Sequence, residues 1–138
     1  MSVLQIKQNI VVKVIVTEQF KNDYKQELGR QLSSAESKAK ELKSSLARVV
    51  IENAGVGNSS YIESLKARIE EERMLQEAIA SELRDRIKEV DGLAIDSIYP
   101  YTVLEGLVEV KEGDNLFRKV SAAEVVLKDG IVVSIKND

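Results

Sequence analysis

The 138-residue sequence contains no cysteine and no histidine, and these two absences remove most familiar catalytic apparatus. Without cysteine there is no disulfide framework and no thiolate to serve as nucleophile or metal ligand. Without histidine no imidazole can activate a nucleophile, and the usual zinc donor sets cannot be assembled. Charge of one sign is also missing: the net charge is −3, and Lys and Arg are interleaved with Asp and Glu. No basic stripe is offered to a phosphate backbone, so a nucleic-acid partner is possible but not supported by charge. Long apolar runs are absent too. In the segment Met1 to Gln8 polar residues interrupt the apolar ones, unlike a signal peptide, and nothing approaches membrane-spanning length. A cytoplasmic protein without membrane contact is expected.

What is present is organised around residues 17–91. Leu28, Leu32, Ala35, Ala39, Leu42, Leu46 and Val49 are spaced alternately by four and three residues, the seam of a coiled coil. A second pattern carries Ile62, Leu65, Ile69, Ile79, Leu83, Ile87 and Val90. Between them lies the turn sequence 53–60, in which Gly55 and Gly57 supply unusual backbone angles. Thr17 is placed to cap a first helix over 18–52, its hydroxyl accepting an orphan N–H of the first turn. Ser60 with Glu63 reads as a capping box opening a second helix over 61–90, and Gly92 as its left-handed C-cap.

Strand patterns occupy both ends. Leu4, Ile6, Ile10, Val12, Val14 and Val16 fall on alternate positions interrupted only by Gln8, giving one buried face. Pro100 disfavours helix and marks a connection or edge strand. The segment 102–111 alternates, and two β-branched runs flank Asp129-Gly130, a strong hairpin signal. The reading is an α+β chain: a long antiparallel, coiled-coil-like helical hairpin projecting from a small, mainly antiparallel β platform. The platform is built from the N-terminal strand and the C-terminal strands. The 138 residues form one domain in three segments: strand 1–17, hairpin 18–91 and β segment 92–138.

The strand-to-helix switch Val11 to Lys21, the strand end Glu105 to Asn115 and the turn Lys128 to Val133 together resemble the YlqD family of small bacterial proteins. The resemblance covers both ends of the chain. It implies a bacterial cytoplasmic protein and transfers no functional residue.

No catalytic, cofactor-binding or metal-ligating residue is assigned. Glu70, Glu71 and Glu72 read as a solvated helix face, since carboxylates do acid–base work when burial raises one of them. Glu109, Glu112 and Asp114 lack the ligand spacing of an EF-hand loop. The preferred reading is a non-enzymatic interaction or scaffold protein, with a protein partner or copies of itself. The alternative is an accessory factor on ribosomal or other RNA–protein assemblies, with Lys38, Lys40, Lys43 and Arg48 on phosphates. An acid–base enzyme using platform carboxylates is the third reading. Folding the hairpin at its glycines is expected to set Glu72 and Gln76 opposite the small residues Ala35 and Ala39. These four form the candidate interaction surface.

Overall fold

In a computed structural model, which describes residues 2–55 and 59–137, β-branched alternation at the N-terminus forms strand β1 (Val3–Ile15). It is followed by helices α1 (Glu18–Glu52) and α2 (Ser60–Asp91), strand β2 (Ile98–Lys111), the short helix α3 (Leu116–Val120) and strands β3 (Ala123–Lys128) and β4 (Ile131–Lys136). The chain is α+β, a helical hairpin with a four-stranded, mostly antiparallel sheet. It divides into two compact units, residues 22–92, and residues 1–21 with 93–138.

In the second of these the sheet order is β2-β1-β3-β4. β1 pairs antiparallel with β2 and parallel with β3, and β3 pairs antiparallel with β4. The strand from the chain start therefore lies inside, and α3 carries the chain across from one side of β1 to the other. Asp129 and Gly130 both have positive φ, 49° and 84°, the primed hairpin turn expected of Asp-Gly. Thr17 accepts from Phe20 N at 3.0 Å, as a helix cap, and its hydroxyl also donates to Asp129 Oδ1 at 2.6 Å. One side chain thus starts α1 and ties down the β3–β4 turn. β2 is an edge strand, as its proline requires, and a register shift between Val12 and Lys13 leaves Tyr101 as an extra residue. Tyr101 and Tyr99, two residues apart on the strand, both meet the Phe20 ring, at centroid distances of 5.9 and 6.2 Å.

The buried face of β1 is shorter than the alternation predicts. Val12, Val14 and Val16 are buried, yet Leu4 is 65% exposed. The end of α3 meets the strand at Gln8. That residue is itself buried and donates from Nε2 to Lys119 O at 3.0 Å, Ser121 O at 2.8 Å and Asn137 Oδ1 at 3.4 Å.

In the hairpin unit every position of the α1 seam from Leu28 to Val49 is buried or half-buried. Leu28, Ala35 and Ala39 lie deepest, and Ala80, Leu83 and Val90 are their counterparts on α2. The antiparallel register is marked by ion pairs Lys25–Asp91 at 2.7 Å and Glu36–Arg84 at 3.1 Å. Ile79 is exposed where Ala80 is buried, which corrects the predicted stripe. Steps of three and four from Ile69 run through Arg73, Gln76, Ala80 and Leu83, so Ile79 stands about 100° around the helix from the seam.

The termini of α2 also differ from expectation. Its N-cap is Ser59, without a side-chain cap bond, so Ser60 is already helical and the Ser60–Glu63 box does not form. Gly92 closes the helix in right-handed geometry, φ −86°, with its N–H shared between Lys88 O and Glu89 O at 3.2 Å each. The helix ends without a left-handed residue. Gly55 has the positive φ expected of the turn, 87°, whereas Gly57 lies outside the described residues.

Candidate interaction surfaces

The four residues proposed from sequence do not converge. Ala35 and Ala39 are buried in the seam at 4% and 9% exposure. Because Glu36 faces Arg84, Ala39 shares a cleft of about 570 Å³ with Glu77, Ala80 and Arg84. Glu72 instead lines a separate groove with Arg68, Glu71, Met74 and Leu75. Gln76 is half-buried and donates to Glu72 at 3.2 Å along its own helix. The small residues of α1 therefore meet small residues of α2, and the expected opposition of Glu72 and Gln76 to Ala35 and Ala39 is corrected. The register was not visible in either helix alone, since its ion pairs depend on where the turn places α2.

The polar middle of α2 is internally satisfied. Arg73 pairs with Glu70 and, at 2.8 Å, with Glu77. The hydrogen bond from Arg73 holds the Glu70 carboxyl below its ordinary value, the opposite of what a general acid needs. Glu71 and Glu72 are exposed. Lys38, Lys40, Lys43 and Arg48 are exposed as well, and Lys40 and Lys43 share their cleft with Glu36 and Glu77.

The second carboxylate cluster sits at the end of β2. Glu109 and Glu112 are exposed. Asp114 accepts from the Lys111 backbone N–H at 3.0 Å, which together with the nearby Lys119 ammonium at 3.7 Å keeps its carboxyl below the ordinary range. Its work is structural, closing the turn in which Gly113 adopts φ 97°. Among the described residues no group of three such side chains converges to hold a metal ion. Asn115 then caps α3, its Oδ1 accepting from Arg118 N at 3.2 Å. An open cleft of about 490 Å³ beside this turn is lined by Asp114, Asn115, Arg118, Lys119 and Asn137.

One ion pair ties β1 to β3. Lys13 and Glu124 lie 2.5 Å apart, each about one-third exposed, and the hydrogen bond from Lys13 depresses the Glu124 carboxyl. A depressed carboxyl contributes stability above its unfolded-state value, near 4.3, and loses it as pH falls through the folded-state value. Thermal unfolding of Glu124→Gln is accordingly expected to fall below that of the native chain by a constant margin at pH 6–7. The margin should shrink below about pH 4.3; a margin independent of pH from 7 to 3 would refute the assignment.

The sheet leaves much apolar surface in solvent. On β2, Val103, Leu104 and Leu107 are 58%, 54% and 67% exposed, and Phe117 of α3 is 83% exposed. Every residue of β4 is exposed, including Ile131, Val132, Val133 and Ile135.

This two-unit arrangement has relatives. The family model described as YlqD protein matches residues 4–136. The chain belongs to the YlqD family. The YlqD chain is also similar to a crystal structure of a protein of unknown function from Synechococcus sp. WH 8102, 26% identical with a TM-score of 0.79. The match covers 98% of this chain and 95% of that one. No curated protein matches the chain. Among the described residues no YlqD helix is long and apolar enough to cross a membrane.

Proposed function

We propose that this YlqD chain is a non-enzymatic interaction or scaffold protein that acts through its coiled-coil hairpin and its sheet and associates with copies of itself. One observation carries the reading: four large apolar side chains of an edge strand, Ile131, Val132, Val133 and Ile135, are each at least half exposed. Scattered surface apolar residues need no explanation, but a contiguous apolar edge marks a contact surface. The chemistry of the carboxylates agrees with a non-catalytic role. Asp114, Glu70, Glu27 and Glu124 are all shifted downward by donors beside them, which keeps them ionised and unsuited to give up a proton near neutral pH.

Two measurements test this. Light scattering from about 1 to 100 μM, a range chosen to bracket weak dimerisation, is expected to give a mass that rises with concentration. A strictly monomeric folded protein removes the self-association part. Affinity capture from native bacterial lysate, repeated with nuclease, is expected to retain protein partners after digestion. Loss of every partner on digestion would favour the RNA–protein assembly reading instead.

A further inference from the structure

We infer that β4 is the contact between two copies of this chain, pairing antiparallel with β4 of the second copy so that two four-stranded sheets join into one of eight strands. This rests on the self-association proposed above and names its surface. The two edges of the sheet are built differently. β2 carries the features that discourage strand addition: Pro100, the bulge at Tyr101, and the exposed Glu105 and Glu109. β4 has neither proline nor charge from Ile131 to Ile135. Its single guard is the irregularity opposite Val126 and Leu127, where Val133 has no partner in β3. An edge of this composition is covered in natural proteins by another strand or by a loop, and among the described residues no strand pairs with β4 on its outer side.

Charge and geometry select a second copy as the occupant. Lys136 stands at one end of the strand and Asp129 just before the other. Antiparallel self-pairing about a two-fold axis brings each Lys136 toward the other copy's Asp129, twice, whereas parallel pairing sets like charges together. The faces fix the register. Val132 pairs with Leu127 and Ile135 with Val125, so all four point to the same side as Val12 and Val14. Keeping that face continuous places Val132 opposite the second copy's Ile135, Ile131 opposite its Lys136 and Val133 opposite its Ser134. All six residues of β4 are then used, and Asp129 falls two residues along from the position facing Lys136, within reach of a long side chain.

A six-residue strand contact is smaller than the roughly 800 Å² per partner of a standard interface. The dimer is therefore expected to dissociate in the micromolar range. The test is sedimentation equilibrium of the full chain and two variants, each checked for native circular dichroism. Val133→Lys on the β4 edge should weaken dimerisation at least tenfold, while Leu107→Lys on the β2 edge should leave it unchanged. Because the chain lacks cysteine, single labels can be introduced at will. Nitroxides at Ser134→Cys should be separated along the strand by one residue and at Lys136→Cys by five, so with the spacing between the strands included the second distance should exceed the first by about 11 Å. A dimer kept by Val133→Lys, or broken by Leu107→Lys, or showing equal label distances, overturns the β4 contact while leaving self-association standing. A monomer at every concentration overturns both.

Discussion

Leu28→Ala is expected to destabilise the helical hairpin by about 3 kcal/mol, the usual loss when a fully packed leucine is truncated and its cavity cannot collapse. Leu28 is 2% exposed. The ion pairs Lys25–Asp91 and Glu36–Arg84 bracket it, so the facing stretch of α2 is the one holding Ile87 and Val90. Thermal unfolding followed by helical circular dichroism should fall by roughly 10 °C for a chain of this size. The matched control is Leu75→Ala, the same truncation at a side chain 53% exposed, which should cost no more than about 1 kcal/mol. Equal losses at the two positions would mean that the seam is not where the hairpin is held together.

Gln8→Leu should cost about 2 kcal/mol although it makes the strand more uniformly apolar. The substitution preserves approximate size but removes the side-chain amide that donates to Lys119 O and Ser121 O. Carbonyls left without a donor in a partly buried site carry a desolvation penalty of about 1–3 kcal/mol. The helix they terminate is only five residues long, too short to persist by itself. α3 should therefore loosen before the sheet does. Hydrogen exchange should accelerate at the Lys119 amide, which is bonded to Asn115 O at 3.1 Å, more than at Val12 or Val14. Gln8→Glu, which supplies no donor and adds a charge facing carbonyls, should cost more than Gln8→Leu. A leucine variant as stable as the native chain would show that the amide is dispensable.

These two sites also show how differently residues announce themselves. The repeat that contains Leu28 is local: steps of three and four bring side chains to one face whatever the rest of the chain does. Gln8 looks like a lapse in an otherwise apolar alternation, because its acceptors lie 111 and 113 residues away. α3 left little trace beyond Asn115 ahead of an apolar pair, since five residues are too few for a helical period. The facing of Glu72 and Gln76 to Ala35 and Ala39 expected from sequence differs from the structure for a related reason. Ala35 and Ala39 were rightly placed on the seam, but which α2 residues meet them depends on the length of chain absorbed by the turn. Glu72 and Gln76 fell one to two turns away from the alanines' partners.

By itself the sequence determined the α+β class, the span of α1, the cap at Thr17 and the Asp-Gly hairpin, and it left Pro100 marking either a connection or an edge strand. Each follows from steric or hydrogen-bonding rules acting within a few residues. Only the tertiary structure decided that β1 lies between β2 and β3, that its pairing with β3 is parallel, that Gln8 secures the end of α3, and that β4 stands as an apolar edge. Those outcomes join segments more than 80 residues apart, so no local pattern carries them. The free edge of β4, the feature on which the functional reading turns, became visible only when the strand order was known.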